Sequence, residues 1–470
     1  MSENGTDKLK KGLVLVFIAN AINLCISLIN GFVLPKYLSV ETYADIKTYQ
    51  LYSNYIGVLA LGYCDGLYLK YGGYKIDSIK EKDINISRSN LILLQGIVSV
   101  ILIVLAFTIN DKILLLTTLT IIPVNLTAAF KNIFQATGEF KFYSRIMNSS
   151  AILTFFGIMF LLFVLRSENS IYYVGVMCAV TFLVWGLVER QIRNTYGYKT
   201  GFFISLSDIA VNIKNGIVLM LGNFSSILMT SIDRWFVKFL LATTDFAYYS
   251  FIVSTENLIA IFITPIVTTM YNYICRNTDY DALKRIKRMC LIFSLFLVSS
   301  AYPAKFILEV YLNKYLPAKN VLFILFSTEI LFMIIKGVYV NIYKATKRQN
   351  VYLKQLVCVL VVSCILNAIF FKLMHSIDGI AWATLFSTIC WYFICMFAVH
   401  EMTVDIKEII VLIVGIVTFL STGMLLPSII GFAIYILVVL VLCIMFMKND
   451  FVSMVHMASS MVGKRFSLRK

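Results

Sequence analysis

Apolar runs of the length that crosses a bilayer recur from one end of this chain to the other. A helix needs about 20 mostly apolar residues to traverse the hydrocarbon core. Such runs cover residues 12–34, 45–68, 89–109, 113–135, 146–165, 171–189, 213–240, 247–274, 288–308, 320–343, 353–374, 379–399, 407–425 and 428–447, which predicts fourteen spans. Composition agrees: 60% of the 470 residues are hydrophobic and 14% are charged, against about 45–50% and 25% in ordinary soluble domains. Mean hydropathy is +0.84. A soluble fold of this size has no means of burying so much apolar surface, so the sequence predicts a polytopic all-α membrane protein.

The net charge of +16 follows from the same reading. Lysine and arginine of a multi-pass protein collect in its cytoplasmic loops, and no helix-turn-helix or zinc-finger spacing is present, so nucleic acid is not expected as a partner. With the N-terminus placed inside, 29 of the 41 basic residues fall in segments predicted to be cytoplasmic. Both termini are then expected on that side. The first run, which follows Lys8, Lys10 and Lys11, is longer than a signal-peptide core and is read as a retained span. Ten cysteines are scattered, seven of them within apolar runs, and three histidines lie far apart. Neither pattern forms a disulfide framework or a metal site. No loop exceeds about 25 residues, which leaves no room for a soluble catalytic domain.

The chain also repeats itself. Lys11-Gly12-Leu13-Val14-Leu15 matches Asn215-Gly216-Ile217-Val218-Leu219, "LPKYLSVETYADI" at 34–46 matches "VKFLLATTDFAYYS" at 237–250, and "IFQATGEFKFYSR" at 133–145 matches "IYKATKRQNVYLKQ" at 342–355. The offsets stay between 203 and 209 and the order is kept. Six spans per repeat is an even number, so both repeats enter the membrane in the same direction. Parallel repeats related about the membrane normal are a transporter architecture, with the substrate between lobes that rock. The expected domains are an N-lobe at 1–200, a C-lobe at 201–402, two further helices at 403–448 and a basic cytoplasmic tail at 449–470.

Three stretches carry a family resemblance. "IDRWFVKFLLATTDFAYYS" is similar to the seventh-helix signature of bacterial polysaccharide exporters. "NGFVLPKYLSVETYADIKTYQLYSNY" resembles their first outer loop, and Ala136-Thr137-Gly138-Glu139-Phe140-Lys141 resembles their hinge after the fourth span. The family is that of the oligosaccharide flippases (Wzx type), in the superfamily that also holds multidrug exporters and the lipid II flippase. The resemblance implies a MATE/MurJ-like fold of about 14 helices, with two six-helix lobes and two C-terminal helices. It implies a non-enzymatic flippase for a polyprenyl-diphosphate-linked oligosaccharide such as an O-antigen or capsule unit. It also implies a bacterial cytoplasmic membrane location, no cofactor, and association with polysaccharide polymerase or chain-length proteins; coupling to H+ or Na+ is expected from Glu256 and Glu329. A multidrug or cation antiporter on the same scaffold is the alternative; a membrane glycosyltransferase or polymerase lacks its long outer loop here.

Charged and amide side chains at membrane depth are the candidate site, because hydrocarbon penalises them unless they face protein or water. Glu256 and Glu329 fall near the midplane of the eighth and tenth spans, and with Asp233 they are the expected ion-coupling residues. Glu329 and Lys336 lie two turns apart, which predicts one shared helix face. Arg234, Lys336 and Lys131 could hold a diphosphate. Asn20 and Asn23 share one face, as do Gln50, Ser53 and Asn54; with Asn223 they are expected to hydrogen-bond the head group or one another. The three buried bases are balanced by three acids, a departure from the basic lumen the family leads one to expect.

Overall fold

Apolar runs joined by short polar links leave backbone N–H and C=O groups no partners except those inside helices. The computed structural model describes residues 5–197, 201–276, 279–402 and 405–456, almost all helical. The chain is an all-α polytopic membrane protein. Ten helices are long and apolar enough to span a bilayer among the described residues, and up to twelve if each of two bent pairs counts as one span. Ala21–Tyr37, which overlaps the first predicted span, is a further, shorter apolar helix. Lys464, Arg465, Arg469 and Lys470 of the expected basic tail lie outside the described residues.

Two compact units divide the chain at Ser231/Ile232. The first contains α1 (Gly5–Tyr37), α2 (Val40–Ser53), α3 (Tyr63–Lys70), α4 (Glu81–Ile109), α5 (Lys112–Leu119), α6 (Ile121–Ala136), α7 (Phe140–Met159), α8 (Ser170–Tyr196) and α9 (Leu206–Met229). Its core gathers Tyr63, Leu67, Leu91, Leu126, Phe130 and Val184.

The second predicted span is not one helix. Residues 45–68 form the end of α2, a 3-10 turn over Ile56–Ala60, and α3. Asn54 ends α2 as its C-cap, and Leu61 and Gly62 take left-handed backbone at φ 51° and 83°. A break inside a membrane strands carbonyls, and two buried amides answer them: Gln95 Nε2 donates to Leu59 O at 3.1 Å and Asn125 Nδ2 to Ile56 O at 3.1 Å. Asn125 also donates to Gln95 Oε1 at 2.7 Å. Beyond the break, glycine allows a close helix crossing. A Cβ at Gly66 would collide with the Asn212 carbonyl, and one at Gly216 with the Gly62 carbonyl, so α3 and α9 cross with their backbones in contact.

Polar side chains fasten the start of α9 to the first unit as well. Asp208 accepts from Tyr63 Oη at 2.8 Å, Asn90 Nδ2 at 3.1 Å and Lys70 Nζ at 2.9 Å. Upstream, Asn85, Ser89 and Asn90 of α4 accept from the backbone N–H groups of Gly201, Phe203 and Ser205.

The second unit contains α10 (Ile232–Leu240), α11 (Thr243–Arg276), α12 (Tyr280–Val298), α13 (Ala301–Val310), α14 (Lys319–Ile334), α15 (Val340–Ala345), α16 (Gln349–Met374), α17 (Ile377–Ala398), α18 (Ile406–Leu425) and α19 (Ser428–Phe446). Its axis is α14. From Val321 onward this helix is apolar all round apart from Ser327, Thr328 and Glu329, and every residue from Val321 to Ile335 is buried, packed among α11, α12, α17 and α18. The last two helices dock onto this unit. Lys305 Nζ donates to Gly423 O at 2.9 Å and Leu426 O at 2.6 Å, which satisfies the open end of α18. Tyr302 contacts Phe323, Phe419, Phe432 and Tyr435. Lys287 pairs with Glu408 at 2.8 Å, both almost completely buried.

The duplication read from sequence reappears in the backbone. Thr137 and Thr346 end α6 and α15 as C-caps, and each hydroxyl donates four residues back at 2.8 Å. Gly138 and Lys347 come next, both in left-handed conformation, φ 77° and 58°. Glu139 N then donates to Phe134 O, and Arg348 N to Tyr343 O, the six-to-one bond of a Schellman cap. The aromatic-alanine pairs agree too: Tyr43, Ala44, Phe246 and Ala247 are all fully buried.

Lysine at the left-handed position of the second cap costs about 1 kcal/mol relative to glycine. Lys347→Gly is therefore expected to raise the unfolding midpoint in detergent, and Gly138→Ala to lower it by a similar energy. Breaking the buried ion pair is expected to cost more. Lys287→Met leaves Glu408 without its closest partner and should lose about 3–5 kcal/mol, measurable as a drop in thermal midpoint that Lys287→Met/Glu408→Leu largely restores.

Candidate functional site

The second unit brings three acids and a lysine together from helices far apart in sequence. Asp233 occupies the first turn of α10 and is buried. One carboxylate oxygen accepts the N–H of Arg234 at 2.8 Å and the other accepts the Tyr249 hydroxyl at 2.7 Å. An acid beside an arginine thus serves first as a local helix cap, held by a tyrosine of α11.

Two turns along α11 from Tyr249 lies Glu256, on the same helix face. Its Oε1 accepts from Thr328 Oγ1 of α14 at 3.3 Å. Glu329 is the next residue after Thr328 and is 8% exposed. Thr328 thus places Glu329 next to the Glu256 carboxyl along α14, and the two acids act electrostatically on one another. Glu256 also feels the charges of Asp233 and Lys336. Two carboxyls so close repel when both are ionised.

Lys336 acts on Glu329, two turns before it, from just inside an irregular stretch of the helix. The helix passes through a π turn at Ile335–Tyr339, which inserts an extra residue into the register. The ammonium group of Lys336 sits 4.3 Å from the centre of the Phe332 ring while acting electrostatically on both glutamates. Single π turns of this kind recur at functional sites.

Candidate residues of the first unit are more dispersed. Lys131 is half-buried on α6. Asn23 is half-buried on α1, where the side chain of Asn20 is outside the described residues. Asn54 is exposed at the end of α2 and does not line a continuous second span with Gln50 and Ser53. Asn223 of α9 donates to Asp65 Oδ1 at 3.3 Å. Gln95, Asn125, Asn90 and Asp208 are polar centres that sequence reasoning missed. The available signal was a lone amide within an apolar run, as in "LLQGIV" and "IIPVNLT". Among the described residues, no three His, Cys, Asp or Glu side chains group as metal ligands.

No protein-family model matches the chain, and no curated protein does. Solved structures do. "Lipid II flippase MurJ, inward closed conformation" aligns over 93% of this chain and 99% of its own, with TM-score 0.68 at 16% identity. A multidrug resistance MATE family transporter of the MOP superfamily, in an inward-facing conformation, covers 82% of this chain and 95% of its own with TM-score 0.52 at 11% identity. The MATE multidrug transporter DinF-BH covers 85% and 97% with TM-score 0.50 at 14% identity. At such identities the likeness is one of fold, and the fold of this chain is the one shared by the MurJ lipid flippase and the MATE transporters.

Proposed function

We propose that this protein flips a polyprenyl-diphosphate-linked oligosaccharide across the bacterial cytoplasmic membrane by alternating access, coupled to H+ or Na+. The observation that carries the reading is the fold likeness to a lipid II flippase over 93% of the chain. A sugar diphosphate does not cross hydrocarbon unaided, which is the problem such a fold addresses. In this reading the duplicated segments 1–200 and 201–402 act as the two lobes. Arg234, Lys336 and Lys131 attract the diphosphate, and Asn20, Asn23, Asn54 and Asn223 hydrogen-bond the sugars. Glu256 and Glu329 exchange the coupling ion, with Asp233 and Tyr249 completing the polar chain from α10. The oligosaccharide would be a cell-envelope repeat unit, and a polymerase would receive it on the far side.

One observation favours a second reading. Acids outnumber bases in the cluster of Asp233, Glu256, Glu329 and Lys336, which suits export of an organic cation. Transport of cationic dyes by the purified protein in liposomes, with no flipping of the diphosphate lipid, would select it.

Glu256→Gln and Glu329→Gln are each expected to abolish stimulation of flipping by an imposed ion gradient, a loss of about tenfold. Proteoliposomes carrying a labelled polyprenyl-diphosphate sugar measure this; full gradient-driven flipping in both variants removes the pair from the mechanism. Arg234→Ala is expected to slow flipping by roughly tenfold, with Arg234→Lys recovering part of it. Normal flipping in Arg234→Ala at equal protein content would remove the arginine from the substrate path.

A further inference from the structure

Away from the acid cluster, the first unit carries a pocket of about 460 Å³ where α6, α7 and α8 meet. Arg145 and Arg190 line it together with Gln191, Asn194, Phe142 and Leu187. Arg145 lies in the second turn of α7, and Arg190 and Asn194 in the last turns of α8, so the antiparallel helices place them at one end of the hairpin. Charge bias assigns that end to the cytoplasmic rim of the bilayer.

The pocket has two chemical halves. At its polar end, Arg145 Nη1 donates to Gln191 Oε1 at 3.0 Å, and the guanidinium sits 5.7 Å from the centre of the Phe142 ring. These contacts hold Arg145 in place, and no acid lines the pocket to neutralise it. The nearest acid along α8, Glu189, is paired with Arg88 at 2.7 Å and does not line the pocket, so the lining is positive. At its apolar end, Leu187 is 49% exposed, and Leu183, one turn further along the same face, is 59% exposed. This stripe runs from the pocket toward the middle of the bilayer.

We propose that the pocket seats the head group of an anionic glycerophospholipid from the surrounding membrane. The phosphodiester lies between Arg145 and Arg190, Asn194 donates to the glycerol or phosphate oxygens, and one acyl chain follows Leu187 and Leu183. Planar guanidinium groups suit phosphate oxygens, and basic pockets at the inner ends of membrane helices select such lipids. The site is separate from the proposed ion-coupling pair, so its test does not depend on the function assigned above.

The full-length protein, purified in mild detergent, is titrated with phosphatidylglycerol and separately with phosphatidylcholine, and bound lipid is counted by native mass spectrometry. Phosphatidylglycerol is expected to be retained and phosphatidylcholine not. Arg145→Gln/Arg190→Gln should weaken retention roughly thirtyfold, from the loss of two surface cations. Leu187→Trp, which fills the pocket and keeps both charges, should also release the lipid, and it carries the test if the double variant fails to fold. Lys141→Gln/Arg193→Gln removes two exposed charges at the same rim outside the pocket and should retain it. Undiminished retention in both pocket variants overturns the proposal. So does equal binding of phosphatidylcholine, or equal loss in the rim variant, which would mean general attraction to a basic surface. Displacement of phosphatidylglycerol by a polyprenyl diphosphate at equal concentration would also overturn it, by making the pocket a substrate site.

Discussion

A polar group inside a bilayer must find its partner within the protein, and this requirement organises both units. At three points where a helix breaks or begins or ends, a polar side chain satisfies groups that the break exposes. Gln95 and Asn125 take the carbonyls left by the turn at Ile56–Ala60. Lys305 takes those at the end of α18. Asp233 takes a backbone N–H at the start of α10 and a tyrosine hydroxyl. In each case a polar residue meets its chemical complement, and the result is a stable joint. The Glu256–Glu329 pair breaks this pattern. An acid facing an acid satisfies nothing by itself, and the hydroxyl of Thr328 is a weak donor at 3.3 Å. On the proposed mechanism this pair is where the ion is exchanged.

The two units share a frame but not their polar content. The caps at Thr137-Gly138 and Thr346-Lys347 match bond for bond in sequence register, and the buried Tyr43-Ala44 and Phe246-Ala247 pairs occupy matching positions. Duplication preserved the residues that terminate and seat helices. Around that frame both units bury amides, Asn90, Gln95 and Asn125 in the first and Asn341, Gln355 and Asn367 in the second, but among the described residues buried charged side chains, Asp233 and Glu329 among them, belong to the second alone. Backbone caps constrain geometry and tolerate little change. Side chains that face an interior can change chemistry without disturbing the frame.

Much of this was legible in the sequence, and the parts that were not share one cause. Span positions and the duplication follow from one-dimensional features: run length and offset. The break in the second span does not. Residues 45–68 hold enough apolar side chains to pass as a span, but Leu61 and Gly62 turn the chain left-handed so that α3 can meet α9 at Gly66 and Gly216. That turn is stable only because Gln95 and Asn125 supply its hydrogen bonds from 36 and 69 residues away. The π turn at Lys336 is similar, since its register shift belongs to packing around α14 and leaves no mark in residue spacing. Sequence offset and spatial packing also partition the chain differently. The duplication begins anew near Gly216, while Asp208, Asn90 and the glycine crossing hold α9 within the first unit.

On the proposed mechanism, the charge arithmetic of the second unit ties ion and cargo together. Lys336 acts on both Glu256 and Glu329, so its field is partly absorbed while the pair carries charge. A proton or a sodium ion at the pair removes that competition and leaves the ammonium group, with Arg234, more attractive to a diphosphate. By linkage the reverse holds equally: a bound diphosphate raises affinity for the cation by the same factor. Cargo and ion then favour one another's binding without direct contact and would cross together, so the direction of the ion gradient that speeds flipping tells this linkage from an exchange of one for the other. Ion coupling in such a site requires no contact between the ion and the sugar, only that one lysine is shared by two sets of negative charge.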